Sequence, residues 1–142
     1  MLEDKDTEME QVSEEDMRAC KTGFRAPYIC DAVKVVSSGA LKAIELQAMS
    51  EDSCRDSLMK IKGVGSKVAN CVMLFGLGHY EAFPVDVWIK RIVESLYFDG
   101  EDVAKEKIEL FGKEKFGQYG GFAQQYLFYY GKSINMGVKK IK

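Results

Sequence analysis

Apolar residues spaced three and four positions apart run through most of this chain and restrict it to helices. One such run, closed by Gly39, contains Tyr28, Ile29, Val33 and Val36. This spacing places apolar side chains on one face of an α-helix. No segment shows the strict alternation of a half-buried strand, and no internal repeat is visible. The sequence therefore predicts an all-α fold.

Start and stop signals divide this pattern into separate helices. Ser13 and Asp16 form a capping box for a short helix that Gly23 can end, and Ser50 can cap a later one. After Gly65, apolar residues from Val68 to Leu77 predict a largely buried helix. The other predicted helices span about 26–36, 40–47, 87–98, 102–116 and 120–130.

The length of 142 residues and the 46% hydrophobic content predict one compact unit. We expect residues 1–12 to be a flexible acidic start, 13–132 to form the helical domain, and 133–142 to be a solvated basic tail. The formal net charge of −2 does not favour a broad electrostatic attraction to nucleic acid. Any contact with DNA must therefore be local.

The four cysteines form no CxxC pair, and His79 is the only histidine. Zinc and iron–sulfur sites need closer groups of ligands, so we expect no metal and no cofactor. No segment approaches the roughly 18 apolar residues of a membrane span. Without an apolar signal segment, reduced thiols favour an intracellular protein, in the cytoplasm or nucleoid of a prokaryote or the nucleus of a eukaryote, and argue against secretion.

The sequence Gly63-Val64-Gly65 joins two predicted helices. Glycine tolerates positive φ and close approach, so the backbone amides of Gly63, Gly65 and the following turn can bind one phosphate without side-chain charge. The alternative is an ordinary glycine turn at a helix corner, since a short motif of this kind is weak by itself.

Lys67 lies about one residue inside the helix that follows this turn. The helix dipole and the apolar neighbour Val68 both disfavour an ammonium ion there, and a neutral amine is a nucleophile. The alternative is a plain charge that points to solvent or to a phosphate. Asp86 precedes an apolar helical run, so it can cap that helix and can also stabilise a developing positive charge.

The segment KGVGSKVANCVMLFGLGHYEAFPVDVW resembles the 8-oxoguanine DNA glycosylase branch of the helix-hairpin-helix DNA glycosylase superfamily. GFRAPYI precedes it and GGFAQQYLF follows it in the family's order, so the resemblance covers about 13–132. It implies base-excision repair of damaged duplex DNA, with Lys67 attacking the sugar and forming a Schiff base while Asp86 assists. Abasic-site lyase activity would follow from that Schiff base.

The resemblance also implies a pocket for a flipped base, with Cys71 and Phe128 against its faces and Gln124 bonded to its edge. Phe24 would wedge into the duplex and Arg25 would contact the unpaired cytosine. Trp88 stands where some members have a phosphate-binding histidine. The alternatives are core positions for Cys71 and Phe128, a surface amide at Gln124, an ion pair at Arg25, and simple packing of Trp88 and the aromatic residues from Phe122 to Tyr130.

Known members of this family also carry an N-terminal half that the resemblance does not cover. A half of a helical barrel leaves an apolar face exposed, so we expect self-association, rearranged helix packing, or the missing N-terminal half as a partner. Two further functions stay open at this stage. One is an inactive or partner-dependent DNA-binding fragment that uses the hairpin for phosphate contact, and the other is a glycosylase for a different base.

Overall fold

A computed structural model describes residues 9–136 of the chain, and the all-α prediction is confirmed for that range, which contains no strand. The helices are α1 (Glu14–Ala19), α2 (Ala26–Ser37), α3 (Ala43–Ala48), α4 (Glu51–Met59), α5 (Ser66–Gly76), α6 (Val87–Tyr97), α7 (Lys105–Phe116) and α8 (Gly120–Ser133). Short 3-10 helices span Gly23–Arg25 and Gly117–Tyr119. Most of the predicted flexible start (1–8) and basic tail (137–142) lies outside the described residues.

The chain divides into two compact units, with the boundary between Gly65 and Ser66. The first contains α1 to α4, and the second contains α5 to α8. The single domain expected over 13–132 stays a prediction, because compact grouping alone does not define an independently folding domain. In the part that the structure describes, no helix is long and apolar enough to cross a membrane.

The caps explain where the helices begin. Ser13 Oγ accepts from the Asp16 amide at 3.1 Å and Asp16 Oδ2 accepts from the Ser13 amide at 3.0 Å, so the predicted capping box is confirmed. The Ser13 hydroxyl and amide bonds also lower the pKa of Asp16. The predicted stop at Gly23 is wrong: α1 ends at Ala19, because Lys21 already adopts a left-handed φ of 62°.

Some predicted boundaries are wrong for identifiable reasons. Helix α7 begins at Lys105 and not at Asp102, since Ala104 has an extended ψ of 141° and the Val103 amide donates to the buried Glu94 carboxylate at 2.9 Å. Lys90 bonds both Asp102 and Glu94, and these two hydrogen bonds raise its pKa. The predicted helix 40–47 begins later, at Ala43, after an extended Lys42.

The core of the second unit fixes the segment that precedes α6. Phe83 and Val85 are buried on either side of Pro84, and the segment ends at Asp86. The buried core residues are Phe83, Val85, Ile89, Val93, Val103 and Ile108. Burial of each such side chain stabilises the fold by roughly 1.5–3 kcal/mol, so this segment has a defined position relative to α6 and α7.

Helix α5 is less buried than its apolar content predicted. Ala69, Met73 and Leu74 are buried, but Val68, Val72 and Phe75 are 42%, 40% and 64% exposed. The apolar stripe of α5 is therefore wider than the surface that the described chain packs against it. The prediction of a largely buried helix is wrong for these three residues.

Candidate active site

An open cleft of about 270 Å³ in the second unit brings together the five residues predicted to act on a base. It is lined by Lys67, Cys71, Phe75, Pro84, Asp86, Gln124, Gln125 and Phe128. They come from one face of α5, the segment before α6, and one face of α8. The sequence alone did not single out Phe75, Pro84 and Gln125, although the spacing of Lys67, Cys71 and Phe75 at four-residue intervals was a signal for the first of them.

Lys67 and Cys71 lie one turn apart on the same face of α5. Lys67 is the second residue of the helix, which is the position that the sequence predicted. The expected desolvation is not found in this chain, because the Lys67 side chain is exposed. Cys71 is half-buried and forms no disulfide.

Asp86 is the N-cap of α6, which confirms one of its two predicted roles. Its Oδ1 accepts from the Ile89 amide at 2.8 Å, and the residue is half-buried. This bond gives the carboxylate a fixed position in the wall of the cleft. Lys67 lines the same cleft. The second role, stabilising a developing positive charge, stays a prediction.

Gln124 is buried in the cleft wall and only 7% exposed, so the alternative of an ordinary surface amide is wrong. Its Nε2 donates to the Pro84 carbonyl at 3.1 Å, and its Oε1 accepts from Gln125 Nε2 at 2.6 Å. Phe128 lies one turn further along α8. It packs against the core cluster and also lines the cleft. Its predicted contact with a flipped base stays a prediction.

Two glycines set the position of α8 against the segment that follows α5. The Gly121 amide donates to the Tyr80 carbonyl at 2.7 Å. A Cβ on Gly121 would lie 2.2 Å from Leu74 Cδ1 and 2.8 Å from Tyr80 O, and one on Gly120 would lie 2.5 Å from Glu81 O. Only glycine permits this backbone approach, which places Gln124 and Phe128 at the cleft.

The two glycines of the predicted phosphate turn differ. Gly63 has φ of 82°, and an added Cβ would lie 2.4 Å from Tyr28 Cγ, so both its conformation and its packing require glycine. Gly65 has no positive φ, and an added Cβ would meet no atom within 4 Å. Its predicted conformational role is therefore wrong, although the open space above it leaves room for a ligand.

The other predicted DNA contacts lie outside the cleft lining. Phe24 and Arg25 belong to the first unit, where Phe24 is 66% exposed and the Arg25 guanidinium carbon lies 4.6 Å from the Phe24 ring centroid. No ion pair of Arg25 occurs within residues 9–136, so the acid-pair alternative is not found there. Trp88, the second residue of α6, is 37% exposed and does not line the cleft.

Comparisons with known proteins identify relatives of matching sequence and fold, although no family model matches the chain. A probable N-glycosylase/DNA lyase of Methanothermobacter thermautotrophicus is 35% identical over 113 residues, which are 80% of this chain and 36% of that protein. The N-glycosylase/DNA lyase OGG1 of Arabidopsis thaliana is 32% identical over 135 residues, covering 84% of this chain and 36% of that protein.

The fold matches the 8-oxoguanine glycosylase/lyase of Clostridium acetobutylicum, solved with double-stranded DNA containing cytosine opposite 8-oxoG. The TM-score is 0.87 at 43% identity, over 92% of this chain and 45% of that chain. The match lies in the C-terminal half of such proteins. This chain spans less than half of the length of each of these three proteins.

Proposed function

We propose that this chain, which belongs to the helix-hairpin-helix DNA glycosylase superfamily, acts in base-excision repair by removing 8-oxoguanine from duplex DNA and cleaving the resulting abasic site. One observation carries the proposal: Lys67, Asp86, Cys71, Gln124 and Phe128 line one cleft. It contains a nucleophile, a carboxylate, an apolar wall and an amide, which are the groups that excision of a flipped base requires.

The proposed reaction begins when the neutral Lys67 amine attacks C1′ of the damaged nucleotide. An N–C1′ bond forms, the glycosidic bond breaks, and its electron pair leaves with the base, which gains a proton. The sugar ring then opens to a Schiff base on Lys67. Loss of a C2′ proton expels the 3′ phosphate by β-elimination. Asp86, held by the Ile89 amide, stabilises positive charge on the sugar as the glycosidic bond breaks.

The same cleft holds the flipped base. Cys71 and Phe128 contact its two faces, and Gln124 bonds its Watson–Crick edge. The amides near Gly63 and Gly65 and the indole N–H of Trp88 bind DNA phosphates, Phe24 enters the duplex, and Arg25 contacts the unpaired cytosine. These contacts are local, as the net charge of −2 requires.

Damaged double-stranded DNA is the proposed partner, in the nucleoid of a prokaryote or the nucleus of a eukaryote. The exposure of Lys67 favours a second candidate, in which this chain binds DNA but needs another polypeptide to bury the lysine and complete catalysis. That polypeptide would correspond to the part of the relatives that this chain does not match, or to a second copy of the chain.

Borohydride trapping on a duplex with 8-oxoguanine opposite cytosine tests the lysine chemistry. The native chain should form a covalent adduct, and Lys67→Gln should abolish it. Lys107→Gln is the matched control, because Lys107 is exposed and lies outside the cleft. No adduct with the native chain, combined with specific binding of the same duplex, would reject catalysis by this chain and support the second candidate.

Two substitutions of Asp86 separate its role as a helix cap from the role of its negative charge. Asparagine is also a good N-cap, so Asp86→Asn should change the free energy of unfolding by only a few tenths of a kcal/mol but lower the excision rate roughly 100-fold or more. Asp86→Ala should in addition destabilise the chain by about 1 kcal/mol. Equal excision rates for the asparagine variant and the native chain would restrict Asp86 to capping.

A further inference from the structure

Two adjacent glutamines form a chain of hydrogen bonds in the wall of the cleft, and the proposed function uses only one of them. Gln124 Nε2 donates to Pro84 O at 3.1 Å, and Gln125 Nε2 donates to Gln124 Oε1 at 2.6 Å. All three residues line the cleft. Gln125 is exposed, whereas Gln124 is buried. Gln125 therefore contacts, from the solvent side, the amide that the proposed function assigns to base recognition.

The Pro84 carbonyl sets the direction of these hydrogen bonds. A backbone carbonyl only accepts hydrogen bonds, so the end of the Gln124 amide that faces Pro84 must be the NH₂ group. The oxygen of Gln124 then faces Gln125, which must present its own NH₂ group. Rotation of the Gln124 amide by 180° would oppose two acceptors at Pro84, and the Gln125 amide would also have to rotate to keep its bond to Gln124.

We propose that Gln125 is a positioning residue that locks the amide of Gln124 in one orientation and thereby determines which base edge the cleft accepts. This inference rests on the proposed function, in which Gln124 bonds the edge of a flipped base. Once both bonds are made, Gln124 keeps one N–H and one lone pair for a ligand, each in a fixed place.

The orientation of an amide distinguishes the two purines. The guanine edge has an acceptor, O6, beside the N1–H donor, whereas the adenine edge has an N6–H₂ donor beside the N1 acceptor. An amide that rotates freely can pair with either edge. A locked amide pairs with one edge, and on the other edge its donor faces a donor and its acceptor faces an acceptor. The proposed function, which assigns a guanine-type lesion to this cleft, requires the locked orientation to be the one that pairs with the guanine edge.

Burial makes the lock effective. Gln124 is only 7% exposed, so water cannot replace a bond that is lost when its amide rotates. Pro84 alone would penalise rotation by one opposed pair of acceptors. Gln125 adds a second bond to this amide, which must be broken and remade when the amide rotates, so removing Gln125 should weaken the selection of a base edge without removing the pocket.

Binding to matched duplexes tests the selection. The duplexes carry 8-oxoguanine, adenine or a tetrahydrofuran abasic-site analogue at one position, and every protein carries Lys67→Gln so that no base is excised. The readout is the ratio of Kd for adenine to Kd for 8-oxoguanine. Gln125→Ala should lower this ratio about threefold to tenfold, the worth of one hydrogen bond. Gln125→Glu should lower it further, because a carboxylate opposes the Gln124 oxygen.

Gln118→Ala and Gln118→Glu are the matched controls, since Gln118 is exposed and lies outside the cleft lining. They should leave the ratio unchanged, and binding of the abasic analogue should stay within about twofold for Gln125→Ala, because the analogue has no base for Gln124 to bond. A ratio that Gln125→Ala and Gln125→Glu leave unchanged, in a protein that prefers 8-oxoguanine, would overturn the lock.

If the protein shows no preference between the bases, the proposed function is rejected. The orientation of the Gln124 amide is then tested in the protein without DNA. In ¹⁵N-resolved NMR spectra, the two Gln124 side-chain amide protons should have well separated shifts, and the one bonded to Pro84 should exchange slowly with water. Gln125→Ala should bring the shifts together and speed this exchange, whereas Gln118→Ala should not. Identical Gln124 signals in the native chain and Gln125→Ala would overturn the proposal without reference to DNA.

Discussion

The two faces of α8 reverse the usual distribution of residue types. On the inward face, the residues that are almost fully buried are glycines and one amide, namely Gly120, Gly121, Gln124 and Gly131, and the partly buried Leu127 and Phe128 pack against the core. The outward face is aromatic, with Phe122, Tyr126, Tyr129 and Tyr130 exposed by 51%, 78%, 79% and 53%. Hydrophobicity alone therefore does not decide which residues of this helix are buried.

Close approach explains the inward face. The backbone of the segment after α5 lies so near α8 that a Cβ on Gly121 would meet two carbonyl oxygens, those of Tyr80 and Ala82, within 3.1 Å. The outward face needs a different explanation. The sequence predicted that these aromatic residues pack, and Phe122 does contact Tyr80, with ring centroids 5.3 Å apart. The prediction is wrong for Tyr126 and Tyr129, which are 78% and 79% exposed in the described chain. Large exposed aromatic surfaces commonly mark contact sites.

The largest effect should come from Gly121→Ala, because two of the atoms that its new Cβ would meet are backbone carbonyl oxygens, which cannot move aside as a side chain can. The new Cβ would lie 2.8 Å from Tyr80 O, and this oxygen also accepts from the Gly121 amide. We expect a loss of about 3 kcal/mol in the free energy of unfolding, the upper range for overpacking, measured by urea denaturation.

Gly76→Ala is the matched control for that experiment. Gly76 ends α5 with no positive φ, and an added Cβ would meet no atom within 4 Å. Alanine has the higher helix propensity, so this variant should be as stable as the native chain or slightly more stable. Equal losses in the two variants would contradict the close approach at Gly121.

The sequence predicted the parts of this structure that depend on neighbouring residues. Helical spacing predicted α2 and α6 to within one residue, and the capping roles of Ser13 and Asp86 follow from side chains that bond amides three residues away. The grouping of the cleft residues followed only from family resemblance, because Lys67 and Gln124 are far apart in sequence.

What the sequence could not predict depends on distant backbone. Nothing near Gly121 indicates that Tyr80 O lies against it, and nothing near Gln125 indicates that its neighbour is fixed by the Pro84 carbonyl. Periodicity identified the apolar stripe of α5 but not its exposure, since a pattern defines a face and not what covers it. Desolvation of Lys67 was wrongly inferred from Val68 for the same reason.

A smaller effect is expected at Gly131, where the neighbour is a side chain and not backbone. An added Cβ would lie 2.3 Å from Ile92 Cδ1 and 2.5 Å from Ile92 Cγ1. Since a side chain can shift further than a carbonyl, Gly131→Ala should cost about 1–2 kcal/mol, less than Gly121→Ala.

A double-mutant cycle that combines Gly131→Ala with Ile92→Val tests whether the Ile92 side chain causes the loss of stability. Ile92→Val removes the Cδ1 methyl and alone should cost about 1 kcal/mol. The double variant should be more stable than the sum of the two single losses predicts, because the clashing methyl is absent. Strict additivity would show that the Ile92 Cδ1 methyl is not what limits the space at Gly131.

The smallest change in stability should come from the outward face. The double substitution Tyr126→Ser and Tyr129→Ser alters side chains that are 78% and 79% exposed, so the free energy of unfolding should change by no more than about 0.5 kcal/mol per residue. If this face mediates self-association, sedimentation velocity at rising concentration should show the native chain forming larger species and the double variant remaining monomeric. A loss of stability as large as that of Gly121→Ala would instead mean that the aromatic face is packed in solution, and the contrast between the two faces of α8 would not hold.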